Sequence, residues 1–139
     1  MSESQYAALV VVPPDWASDK PIGLSRAAYK RYVETLESGE RVLIYKASPV
    51  DAIVAEGEIV THQIPRSDDW PAPNVPEPLL TGLGTLADYV LPLRLLYALP
   101  SFSYIGLPDV EEWVDNPAFP HVEWVRISRE AYKTFTDWL

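Results

Sequence analysis

Glu56 and Glu58 stand two apart in the run Ile53-Val54-Ala55-Glu56-Gly57-Glu58-Ile59-Val60. On a strand, side chains two apart point the same way, and two neighbouring carboxylates can raise one another's pKa toward the range of general acid–base work. A solvated strand face gives the same spacing more often, so the pair alone assigns no catalytic residue. Most other chemistry is excluded by what the chain lacks. It has no cysteine, which removes disulfides, thiol catalysis and zinc–cysteine sites. Two histidines far apart, His62 and His121, argue against a histidine metal site, and no metal or cofactor is expected. The six glycines are too scattered for a phosphate-cradling loop or a nucleotide fingerprint, and no Ser-His-Asp arrangement is evident.

A second pattern concerns basic side chains. The segments LSRAAYKRYVETL at 24–36 and ISREAYKTFTDWL at 127–139 share Ser, Arg, Ala, Tyr, Lys and the final Leu in register. In each, the serine suits a helix N-cap, Arg and Lys four apart share an exposed face, and the aromatics share the buried one. Two helices docking in similar surroundings, at opposite ends of one barrel for instance, account for the match without duplication. The sharper expectation is that Arg26, Lys30, Arg129 and Lys133 form one paired basic surface able to meet nucleic acid.

The elements that must position these residues can be read in turn. Residues 41–47 and 53–60 read as two strands joined by a turn through Ser48-Pro49-Val50-Asp51, with one apolar face (Ile53, Ala55, Gly57, Ile59) and one mixed face, hence a sheet with a single buried side. Residues 6–12, YAALVVV, suit a strand buried on both faces and ended by Pro13-Pro14. A helix is predicted from the Ser25 cap to about Ser38, with Ala28, Tyr29, Tyr32, Val33 and Leu36 as its apolar stripe and Gly39 as its stop. Residues 61–84 carry five of the 14 prolines, which no helix or central strand tolerates. A connection of that length is often a lid or binding loop, though an ordered surface excursion fits equally. Tyr89, Leu91, Leu93, Leu95 and Tyr97 alternate strictly as a strand, with Pro92 marking an edge or bulge. Two helical turns at 109–115, a last strand at 122–127 and a helix from Ser128 complete the chain.

At 139 residues and 47% hydrophobic content, the chain suits a single domain, 1–139, with a proper core. No run approaches the roughly 18 to 20 apolar residues of a membrane span, and residues 1–12 lack the features of a secretion signal, so a cytoplasmic protein is expected. The net charge of −9 opposes generic binding of nucleic acid. Its distribution is uneven, for residues 20–46 sum to +3 and residues 47–125 to −10. A surface split in sign is one outcome, and charges merely spread over a soluble surface are the other.

The order of elements resembles the PUA-like superfamily, the small β-barrels that include EVE and ASCH domains. The resemblance is carried by Gly39-Glu40-Arg41-Val42-Leu43-Ile44-Tyr45, similar to the family's G-D-x-V-x-x-Y strand, and by residues 53–60, similar to its I-V-G-x-x-E-V-V strand with Ala55 in the place of the glycine. Residues 89–96 resemble its Y-x-V-x-L strand, so that about half the chain is covered. The resemblance implies an α+β fold, a PUA-like mixed β-barrel of about five to six strands with two main flanking helices. It further implies an aromatic-walled pocket at the barrel mouth for a modified nucleobase, whether of a nucleic acid or a nucleoside. Tyr45, Lys46 and Ser48 at the strand end, with Trp16 and Trp70 from the flanking loops, are the candidate ligand-binding residues.

Two other readings stay open. A protein-interaction module would use the proline- and tryptophan-rich segment 65–78 to meet a protein partner. A small ASCH-type amidohydrolase would draw on Lys20 or Lys46 with Glu56 or Glu58, although the G-K-K-T-x-E-x-R signature of such proteins is absent.

Overall fold

The computed structural model describes residues 6–17, 22–33, 39–59, 80–91, 93–100, 103–114, 118–119 and 121–137. The described chain is α+β. Its strands are β1 (Tyr6–Val12), β2 (Ile22–Leu24), β3 (Arg41–Lys46), β4 (Ala52–Ile59), β5 (Tyr89–Leu91), β6 (Leu93–Ala98), β7 (Ile105–Gly106) and β8 (Trp124–Ser128). Its helices are α1 (Arg26–Ala28), which runs on into a π-helical turn Tyr29–Val33, α2 (Leu107–Trp113) and α3 (Arg129–Asp137). Ser25 caps α1 by accepting from the Ala28 N–H at 3.2 Å, and Ser128 caps α3 by accepting from the Ala131 N–H at 3.1 Å. Both caps are where the sequence places them. The expected extension of the first helix to Ser38 lies outside the described residues.

Six strands form one mixed sheet in the order β6-β4-β3-β1-β8, with β7 pairing to β4 beyond the end of β6. β1 runs parallel to β3 and antiparallel to β8, and the residues between β1 and β3 supply the crossover that parallel pairing demands. Among the described residues, β6 and β8 are the two ends of this path and do not pair with one another. β2 and β5 make a separate antiparallel pair. The alternating run 89–97 is therefore not one strand. Its first part, Tyr89–Leu91, joins β2 and its second, Leu93–Ala98, joins β4.

The main sheet is buried on both faces. One face packs Val10, Val12, Val42, Ile44, Val54 and Trp124 against Trp16, β2 and β5. The other packs Leu9, Val11, Leu43, Tyr45, Ile53 and Val125 against α2 and α3 through Val110, Ala131 and Phe135. β1 is thus buried on both sides, as its unbroken apolar run predicts. The β3–β4 hairpin corrects the expectation of a single buried face, because α2 and α3 cover its second side. Register irregularities between Ile44 and Tyr45 and between Glu56 and Gly57 also break the strict alternation. Ile53 consequently faces the helices while Ala55 and Ile59 face the other way.

Candidate functional site

β1 and β3 finish side by side, with Val12 opposite Lys46 and the Ala47 N–H donating to the Val12 carbonyl at 2.9 Å. β8 begins at the same end, Trp124 lying opposite Val10, while the Val11 N–H donates to the Glu123 carbonyl. The loop after β1 carries Trp16, and the turn after β3 carries Ser48. Three of the five candidate ligand residues, Trp16, Lys46 and Ser48, are therefore gathered at one end of the main sheet. Lys46 is half-buried and Ser48 exposed. Trp70 lies outside the described residues.

Tyr45 requires a correction. It is fully buried, its ring meets Phe119 edge-on at 4.9 Å, and its hydroxyl donates to Asp51 Oδ1 at 3.2 Å. Burial first, and then the charge of Asp51 and the hydrogen bond to it, push the Tyr45 phenol above its ordinary value. Asp51 holds φ +49, a conformation Asp adopts more readily than most residues, and its carbonyl accepts from the Leu107 N–H at the start of α2. Tyr45 thus ties the turn to the helical face and offers no face to a ligand. Trp16 also proves more buried than its polar, proline-bounded loop suggests, at 6% exposed, and it sits in the cluster on the opposite face from Tyr45.

Trp124, at the start of β8, comes to the same sheet end as a core residue. It is 1% exposed, belongs to the same buried cluster as Trp16, and its Nε1 is the one buried side-chain nitrogen or oxygen without a hydrogen-bond partner among the described residues. Its strand position reads as core in the sequence, and nothing local reports an unmet donor. Beside it, Glu123 Oε1 accepts from the Ser25 N–H at 2.6 Å, joining β8 to the start of α1.

The two carboxylates on β4 have separate fates. Glu56, 2% exposed, accepts from the hydroxyls of Tyr97 on β6 and Tyr132 on α3, with Arg41 Nη1 at 3.8 Å. Burial and the bonds to Glu56 hold both phenols above their ordinary value, with Arg41 acting in the opposite sense. Glu58 pairs with Arg94 across the β4–β6 ladder. The amidohydrolase arrangement is not assembled on Lys46. Lys46 lies opposite Ala52, four residues or about 13 Å along the strand from Glu56, and Lys20 lies outside the described residues. Among the described residues, no three His, Asp or Glu side chains converge as a metal site requires.

The paired basic surface is also corrected. Ala28 and Tyr29 pack on one face of the main sheet, while Ala131, Tyr132 and Phe135 pack on the other. Ser25 meets Glu123 just before β8, whereas Arg129 follows the last residue of β8, about 17 Å away along a strand of five residues. Arg26 and Lys30 therefore stand at the opposite end and on the opposite face from Arg129 and Lys133. The similar helix sequences reflect similar docking.

One further surface was not foreseen. Leu80, Leu83 and Leu86 are 39%, 47% and 68% exposed on a turn that is itself firmly held. Thr81 is fully buried, with its hydroxyl 2.7 Å from that of Thr85, and Gly82 packs so closely on β1 that a methyl there would overlap the Val11 carbonyl.

No protein-family model matches the chain. It is 31% identical over 87 residues to a mannitol operon repressor of Escherichia coli strain K12, an alignment spanning 63% of this chain and 45% of that protein. The same figures hold for the mannitol operon repressor of Escherichia coli O6:H1. The chain thus spans about half the length of the curated relatives it matches. Two solved structures share its fold. Rpa0253 from Rhodopseudomonas palustris superposes with a TM-score of 0.62 at 14% identity, over 96% of this chain and 92% of that one. Atu2648 from Agrobacterium tumefaciens does so with a TM-score of 0.58 at 14% identity, over 95% and 91%. Among the described residues, no helix is long and apolar enough to cross a membrane.

Proposed function

We propose that this chain is a non-catalytic binding domain of the PUA-like kind that holds a flat, modified nucleobase, in a nucleic acid or as a nucleoside. The site lies where β1 and β3 end and β8 begins. In this reading the main sheet and the β2–β5 pair are the walls of a partly open barrel, and Trp16, in the loop after β1, takes the part the sequence assigned to Tyr45. The observation that carries the reading is that Trp16, Lys46 and Ser48 come to one end of the main sheet, where β1 and β3 finish side by side. An indole stacked on a base contributes about 1 to 3 kcal/mol, and the strand-end polar groups are free to meet the base's edge. Arg26 and Lys30, on the helix that Ser25 joins to Glu123, are the cations within reach of a phosphate. The relatives' name, an operon repressor, agrees with a nucleic-acid ligand.

Calorimetric titration with modified nucleosides and short modified oligonucleotides tests this. Binding should weaken at least tenfold in Trp16→Ala and several-fold in Lys46→Ala, and should be unchanged in Tyr45→Phe. Equal affinity in all of these folded variants sinks the reading.

A second reading, a protein-interaction module, is favoured by the three exposed leucines that follow the proline-rich segment 61–79. Apolar side chains displayed on a stiff turn suit a protein partner. Leu83→Asp and Leu86→Asp together would then abolish capture of that partner while leaving nucleoside binding untouched.

A further inference from the structure

We propose that the turn at residues 80–86 docks a basic amphipathic helix of a second protein, whose apolar stripe lies on Leu80, Leu83 and Leu86 with lysine or arginine beside it. The inference rests on the protein-interaction reading above and names the partner's chemistry. It is independent of nucleobase binding.

Among the described residues the exposed large apolar side chains are Leu80, Leu83, Leu86 and Tyr97, and three of the four fall on this one turn. Single exposed leucines are ordinary, but a cluster of them marks a contact surface. Leu80 and Leu86 form an antiparallel bridge, so their side chains stand on one face, and Leu83 lies at the tip between them. The display is rigid. The buried Thr81 hydroxyl accepts from the N–H groups of Leu83 and Thr85, and Gly82 is seated on the Val11 carbonyl. A partner therefore meets leucines that are already ordered, which lowers the entropy lost on binding.

The backbone of the turn decides the partner's form. The N–H groups of Thr81, Leu83, Gly84 and Thr85 are all satisfied inside the turn. An added strand would need such donors, whereas a helix satisfies its own backbone and brings only side chains. From bridge to tip the row of leucines is at most about 10 Å long, three residues of extended chain, and two turns of a helix match it.

Charge decides the partner's sign. Between Arg66 and Arg94 the sequence holds the carboxylates of Asp68, Asp69, Glu77 and Asp88 and no lysine or arginine. Asp88, exposed two residues after Leu86, accepts from the Arg26 backbone N–H and pairs with no cation among the described residues. Three partly exposed leucines fall far short of the roughly 800 Å² per partner of a stable complex, so opposite charge must add to them. A second copy of this chain, at a net charge of −9, and a phosphate backbone are both repelled.

The test is calorimetry of the folded chain with three synthetic peptides of about 18 residues, long enough to form a helix. One is an amphipathic leucine–lysine peptide, one has the same residues scrambled so that no apolar stripe forms, and one is an amphipathic leucine–glutamate peptide. The leucine–lysine peptide should bind about tenfold or more tighter than either of the others, and Leu83→Ser with Leu86→Ser should weaken it by a similar factor. Equal binding of the leucine–glutamate peptide overturns the basic partner and leaves the protein-interaction reading standing. Equal binding of the scrambled peptide, binding untouched by the leucine substitutions, or no binding by any peptide removes both. If the paired substitution instead abolishes self-association in sedimentation, or weakens oligonucleotide binding, the patch serves a second copy or nucleic acid and the proposal is overturned. Should the pair fail to fold, Leu83→Ser at the exposed tip is read in the same way.

Discussion

At the scale of single residues, Glu56 is the most consequential side chain that local sequence misassigns. It reads as one of two carboxylates on a solvated strand face, and it is instead the centre of a polar group joining β3, β4, β6 and α3. Hydrogen bonds to a charged group stabilise by roughly 1.5–3 kcal/mol, and removing one leaves a buried carboxylate less satisfied. Tyr132→Phe should therefore lower stability by about that amount in urea denaturation. Tyr97→Phe should cost about 1 kcal/mol or less, because Tyr97 is 37% exposed and water can replace its hydroxyl. In the double variant the two losses should not add, since both hydroxyls serve one carboxylate. The same phenols give an alkaline signature. Tyr45, Tyr97 and Tyr132 hold their protons more tightly in the folded chain than the ordinary tyrosine value of about 10. Below about pH 10 both folded and unfolded states keep these protons, and the contribution is constant. Above it the unfolded chain loses them first, so stability falls as pH rises. Urea midpoints measured between about pH 9 and pH 11 should drop over the upper part of that range, less steeply for Tyr132→Phe.

At the scale of elements, the turn at residues 80–86 is held from inside. Gly82 lies against the Val11 carbonyl and tolerates no Cβ without moving β1 or the turn, whereas Gly84 has open space around it and is limited only by its φ of +81. Gly82→Ala should destabilise by about 1–3 kcal/mol through overpacking of backbone. Gly84→Ala should cost about 1 kcal/mol through conformational strain alone. Thermal denaturation of the two variants measures the difference, and an equal or reversed order would show that the turn is not seated on β1 as described. The helices tell a related story. Their shared Ser-Arg-x-Ala-Tyr-Lys pattern encodes a cap, a buried stripe and an exposed basic edge. Those are instructions for docking on any apolar sheet face, and they do not say which one.

For the whole molecule, charge and topology decide how it can meet nucleic acid. With a net charge of −9, and with Arg26 and Lys30 on the opposite face from Arg129 and Lys133, these basic side chains do not form one continuous surface along which a phosphate backbone could run. Charge reversal at Arg26 and Lys30 should weaken oligonucleotide binding and flatten its salt dependence. Reversal at Arg129 and Lys133 should change neither, and combining the two pairs should add nothing. Titrations at two salt concentrations check this, and equal effects from the two pairs would restore the shared surface. What the sequence determined by itself is what local physics controls: the unbroken apolar run of β1, the β3–β4 hairpin and the serine caps of both helices. Each follows from periodicity, backbone restriction or a hydrogen bond reaching three residues along. Only the tertiary structure decided that the hairpin is covered on both sides, that Tyr45 is core, that Glu56 is clasped by tyrosines 41 and 76 residues further along the chain, and that the Trp124 donor is left unmet. Burial and partnership depend on what arrives from distant segments, and no short window of sequence carries that information.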